Sequence, residues 1–108
     1  MTQSHGQSLM SLFRNRYRIK GLYLLDEPET ALSPKSQLEL LELLKEVGDV
    51  GQAQFIIATH SPILLACPEA RILTFDGAAV SRIDYENTNH YKIYKEFMAD
   101  HKKYISSR

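Results

Sequence analysis

Leu22-Tyr23-Leu24-Leu25-Asp26-Glu27-Pro28-Glu29-Thr30-Ala31-Leu32-Ser33 is the stretch that decides the fold. Gly21 breaks whatever precedes it, and four apolar residues then run straight into two acids and a proline. An apolar run this short, without polar alternation, reads as a parallel strand buried on both faces. Pro28 stops it. Ligands bind at the carboxyl ends of strands in open α/β sheets, so Asp26 and Glu27 stand where a ligand is expected. Successive side chains point in different directions, which lets the two carboxylates do different work. An Asp-Glu pair alone would be read as a solvated acidic turn. The apolar run, Pro28 and Ala31-Leu32 together favour a site.

Outward from this stretch the pattern alternates between strand and helix. Ser33-Pro34 has the order of an N-cap followed by proline at the first helical position. Leu38, Leu40, Leu41, Leu43, Leu44 and Val47 give the following helix a broad apolar stripe, with Gly48 as its expected stop. A second buried strand is expected over 54–59, ending in Thr59-His60, and a third over 71–75. Asp76-Gly77 signals a turn, and 78–85 alternates as a hairpin partner. Upstream, residues 9–20 show helical spacing behind Ser8, which can cap them. Downstream, Tyr91, Tyr94, Phe97, Met98, His101, Tyr104 and Ile105 predict one amphipathic helix over 90–105 whose apolar face belongs to a core. The alternation argues for an α/β fold with a mostly parallel sheet flanked by helices and a C-terminal helix, in one domain spanning 1–108.

Composition excludes several classes. Thirteen basic residues balance thirteen acidic ones, which leaves no electrostatic footprint for a nucleic-acid backbone. The single cysteine, Cys67, has no internal disulfide partner and reads as a small buried hydrophobe in a reducing compartment. No apolar run approaches the roughly 18 residues of a membrane span, and residues 1–7 lack the regions of a secretory signal. The expectation is a soluble, cytoplasmic domain.

The quoted stretch resembles the Walker B strand and D-loop of ATP-binding-cassette ATPases. That resemblance implies the α/β fold of the P-loop NTPases, with ATP and Mg2+ as ligands. It implies that Asp26 holds Mg2+ through oxygen and water, that Glu27 polarises the attacking water, and that Ser33 belongs to the nucleotide-binding residues. The apolar 55–58 run ending in Thr59-His60-Ser61-Pro62 resembles the switch-histidine loop of the same family, which gives His60 a hydrogen bond to the γ-phosphate. Ser4-His5-Gly6-Gln7-Ser8 is similar to the signature motif Leu-Ser-Gly-Gly-Gln, with Ser4, Gly6 and Gln7 matching and His5 replacing a glycine. By the same resemblance these residues contact ATP held by a second domain, at a composite site. The His5 departure, and Asp-Glu-Pro-Glu followed by Leu-Ser-Pro, point away from transporter subunits and toward the family's soluble branch.

The phosphate-binding loop is missing from this pattern. It requires Gly-x-x-x-x-Gly-Lys-Ser/Thr, and none of the five glycines is followed by lysine. The resemblance therefore covers Ser4 to about Arg82 and corresponds to the C-terminal half of a full domain. A sheet lacking the phosphate-loop strand has unpaired edges, which invite pairing with the missing N-terminal half or with another copy. Two readings follow: the catalytic half of an ATPase, inactive when isolated, or a truncated, non-hydrolysing association module.

Overall fold

The computed structural model describes residues 20–50 and 53–106, with the side chains of 49 and 50 excepted. The helix expected over 9–20, except for Lys20, and the signature-like residues Ser4, Gly6 and Gln7 lie outside the described residues; Lys20 itself is not helical. The chain divides into two compact units, Met1–Pro68 and Glu69–Arg108.

In the first unit, β1 (Gly21–Asp26) leads through a 3₁₀ turn (Pro28–Ala31) into helix α1 (Pro34–Val50), then β2 (Ala53–Ala58) and a second 3₁₀ turn (Leu64–Ala66). The strands are parallel and in register from Gly21 opposite Ala53 to Asp26 opposite Ala58. Parallel strands require a long crossover, and α1 supplies it. The start of α1 follows the expected chemistry: Pro34 opens the helix, and Ser33 Oγ accepts a hydrogen bond from Ser36 N at 3.1 Å. Gly48 does not stop the helix, which continues to Val50.

Leu40, Leu43, Leu44 and Val47 fall on one face of α1 at three- and four-residue spacings and are buried, Leu40 completely. Leu32, Ala53 and Leu64 complete this core, and Tyr23, Leu25, Leu41, Phe55, Ile57 and Cys67 pack against it. Tyr23 and Phe55, opposite each other in the ladder, stack with ring centroids 5.5 Å apart. Leu38 sits off this face and is exposed.

The strands differ from expectation in one respect. They are apolar on both faces, but α1 covers only the face of Tyr23, Leu25, Phe55 and Ile57. Leu22, Leu24 and Ile56, on the alternate positions, are 59%, 71% and 61% exposed. Burial therefore alternates along strands whose sequence does not.

In the second unit, β3 (Leu73–Thr74) pairs antiparallel with β4 (Ser81–Arg82), and Ile83 N extends the ribbon by donating to Ile72 O at 3.0 Å. The 71–75 run, whose sequence predicts a third strand of the main sheet, does not pair with β1 or β2. Instead the turn near Asp76-Gly77 brings an antiparallel partner close in sequence, as the hairpin signal indicated. A 3₁₀ turn (Tyr85–Asn87) then leads to α2 (Asn89–Ala99) and the short α3 (Lys102–Ile105). Thr88 caps α2 by accepting from Tyr91 N, and its hydroxyl donates to Tyr85 O.

The single helix expected over 90–105 is broken at Asp100, whose φ of −155° leaves the helical region. Across the break, Lys103 Nζ meets Glu96 Oε1 at 2.8 Å, and the Phe97 and Tyr104 rings approach to 5.7 Å. The apolar face is not core: Ile93, Tyr94, Phe97, Met98, Tyr104 and Ile105 are all exposed. Among the described residues of this unit only Thr88 is buried. No helix among the described residues is long and apolar enough to cross a membrane.

Candidate functional site at the carboxyl end of the parallel pair

Asp26 ends β1 at an exposed position, in the same alternation as Leu22 and Leu24. The chain then reverses through Glu27, which adopts a left-handed conformation at φ 47°, ψ 56°. A non-glycine residue pays roughly 1–2 kcal/mol for that geometry. Its backbone is tied at both ends: Glu27 N donates to Ala58 O at 2.7 Å, and Glu27 O accepts from Thr30 N and Thr30 Oγ1 at 3.2 and 3.0 Å.

That conformation turns the Glu27 side chain toward the segment after β2. Glu27 Oε1 lies 3.3 Å from His60 Nε2. Both side chains are substantially exposed, and an exposed pair of this kind stabilises by about 0–1 kcal/mol. The pair therefore does not offset the left-handed turn that creates it. The backbone hydrogen bonds to Ala58 and Thr30 hold the turn, and residues kept in such conformations cluster at functional sites.

Glu29 holds the two segments together. Its Oε1 accepts from Thr59 Oγ1 at 2.6 Å and its Oε2 from His60 N at 2.9 Å. Partial burial pushes its carboxyl up, but the Thr59 hydroxyl, the His60 amide and the His60 side chain outweigh burial and hold it below the usual glutamate range. Thr59 Oγ1 in turn accepts from Ser61 N at 3.0 Å. Ser61 is buried and donates to Gln37 Oε1 at 2.6 Å, while Gln37 Nε2 reaches Leu32 O at 3.3 Å. The network thus runs from the turn after β1, through α1, to the turn after β2.

Of the residues singled out in sequence, the structure brings Asp26, Glu27 and His60 to one end of one sheet. Ser33 stands at the head of α1, where its hydroxyl caps the helix and donates to Ser36 Oγ at 3.2 Å. Sequence reasoning missed Glu29, Thr59 and Gln37 as parts of this site. The signal was an acid in the turn after Pro28 and a hydroxyl beside His60, both of which read as ordinary polar turn residues.

For magnesium, the donor set is a hard carboxylate oxygen at Asp26, of the type that cation prefers. Among the described residues no group of three His, Cys, Asp or Glu side chains could hold a metal ion. A magnesium ion at Asp26 would thus complete its shell with water and phosphate oxygens, as is usual for this cation.

A family described as "AAA domain, putative AbiEii toxin, Type IV TA system" matches residues 9–66, more than half of the chain. The chain belongs to this AAA-domain family. The matched residues include β1, α1 and β2, and so all of the site just described. A "Putative ABC transporter ATP-binding protein" of Methanosarcina acetivorans is 57% identical over 37 residues, covering 34% of this chain and 13% of the relative. An OLD nuclease of Thermus scotoductus is 38% identical over 55 residues, 51% of this chain and 10% of the relative. A thiamine import ATP-binding protein of Haemophilus influenzae is 30% identical over 74 residues, 68% of this chain and 34% of the relative. The chain thus spans between about a tenth and a third of the length of these relatives. The ABC/AAA-type ATPase resemblance seen in the sequence and the α/β class with its parallel pair both stand.

Proposed function

We propose that residues 1–108 are the C-terminal half of an ABC-type ATPase domain and contribute the hydrolytic side of an ATP site. The observation that carries this reading is the Glu27–His60 pair at the carboxyl end of a parallel strand pair, 3.3 Å apart. The names of two relatives, which refer to ATP binding, support it. ATP goes to ADP and phosphate: a water oxygen bonds to the γ-phosphorus as the bond to the bridging oxygen breaks. Glu27 orients that water and accepts its proton, and His60 donates a hydrogen bond to a γ-phosphate oxygen while its imidazole rests against Glu27. Asp26 is the residue that would hold magnesium, which would supply positive charge to offset that of the phosphates. Ser33, with Ser4, Gly6 and Gln7 from the signature-like segment, completes the nucleotide contacts at a composite dimer site.

The test is hydrolysis by the complete domain, with a phosphate loop present. Glu27→Gln should lower kcat by roughly 10²–10⁴-fold while leaving ATP affinity nearly intact. An equal loss of binding and rate would make Glu27 structural and end this reading. A second reading, a non-hydrolysing association module, is favoured by the open apolar face of Leu22, Leu24 and Ile56.

A further inference from the structure

We infer that Glu29 is a positioning residue, which fixes the backbone of His60 so that its imidazole meets Glu27. The inference rests on the hydrolytic reading above and deepens it. His60 follows the last residue of β2 by two positions, outside the ladder that would otherwise hold it. Its backbone N–H donates instead to the carboxylate of Glu29, at 2.9 Å. The second oxygen of the same carboxylate binds the Thr59 hydroxyl at 2.6 Å, so two adjacent residues are gripped by one planar group. Both bonds are charge-assisted and directional.

The grip connects the partners in both directions. Glu29 lies in the 3₁₀ turn that begins immediately after Glu27, and Leu32 N closes that turn on Glu29 O at 2.9 Å. Glu27 is therefore fixed to Ala58 by its own N–H, and His60 is fixed to the Glu27 turn by Glu29. These are two clamps on one gap, and the side chains of Glu27 and His60 meet across it. Both side chains are substantially exposed, and backbone placement contributes to their alignment. A misplacement of about 1 Å can lower a rate on the order of 10²-fold.

In the complete domain, Glu29→Ala should lower kcat about 10- to 100-fold with KM for ATP changed by less than about 3-fold. Thr59→Val, which removes one donor and leaves the Glu29 carboxylate in place, should give a smaller loss, and Thr59→Ser should restore it. The deciding measurement is the double variant. In a His60→Ala background Glu29→Ala should cost less than about 3-fold more, because the two changes remove one contribution. Losses that multiply would show that Glu29 acts elsewhere and would overturn the inference. Unchanged kcat in Glu29→Ala would do the same. An independent readout keeps this distinct from the hydrolytic reading: in the chain itself the His60 amide should exchange with solvent faster in Glu29→Ala than in the parent. Unchanged exchange overturns the clamp whatever the activity. Full hydrolysis by Glu27→Gln with accelerated exchange in Glu29→Ala overturns the hydrolytic reading and leaves the clamp.

Discussion

Glu27 Oε1 and His60 Nε2 lie 3.3 Å apart, although one residue follows β1 and the other follows β2. Their meeting depends on the register of the parallel pair, which sets Asp26 opposite Ala58. In the complete domain His60→Ala should therefore reduce hydrolysis by a factor comparable to Glu27→Gln, with nucleotide affinity retained. A fully active His60→Ala protein would return the histidine to a structural role. The chain alone, without a phosphate loop, should show no magnesium-dependent hydrolysis in a phosphate-release assay.

The left-handed backbone at Glu27 predicts an unusual stability order. Glu27→Gly and Glu27→Ala both remove the carboxylate, but only glycine adopts φ 47° without steric cost. The glycine variant should be more stable than the alanine variant by about 1 kcal/mol in urea unfolding. The reverse order would mean the turn relaxes when the side chain is lost.

Ser33→Ala should destabilise the first unit by about 1 kcal/mol, because Ser36 N loses its acceptor at the head of α1. Leu40→Ala, at the one fully buried large side chain among the described residues, should lose about 2–5 kcal/mol. Thermal midpoints followed by circular dichroism give both, and a Leu40 loss no greater than that at Ser33 would contradict the placement of the core.

Glu29 predicts a pH dependence. Partial burial opposes its ionisation, but hydrogen bonds from Thr59 and His60 prevail and hold its folded pKa below the unfolded value. Its stabilising contribution is therefore complete above the ordinary glutamate range, near 4.3, and is lost as the pH falls through the lower folded value. Unfolding midpoints from pH 7 down to about 2 should fall less steeply on the acid side for Glu29→Gln than for the parent. Parallel curves would show that the carboxylate carries no such linkage.

Self-association follows from the open sheet. Leu22, Leu24 and Ile56 leave apolar surface in water, and zero net charge offers little repulsion between copies. Light scattering at micromolar concentration should report a dimer or larger species. A concentration-independent monomer rules this out.

The β1–α1–β2 unit was legible because three separate signals agree on it. They are the apolar runs at 22–25 and 55–58, the Ser33-Pro34 start, and the 3.6-residue stripe through Leu40 and Val47. Asp26, Glu27 and His60 were legible because strand ends carry ligands in such folds. Glu29 was not, since a turn glutamate looks solvated until a partner distant in sequence is placed beside it. The open face of β1 and β2 was not either: hydropathy records what a strand can bury, not what is there to bury it. At the C-terminal end the pattern gave helical spacing correctly, but Asp100 interrupts the helix and no second layer covers its apolar side among the described residues.

The bond from Glu27 N to Ala58 O is the last rung of the parallel ladder, one residue past the end of β1. The sheet therefore acts as a zipper whose final tooth belongs to the residue that meets His60. Opening of that rung would release one of the two ties that bring Glu27 and His60 together, the other being the Glu29 carboxylate. A ligand that bound across both residues only when this rung is closed would stabilise the end of the strand pair by mass action.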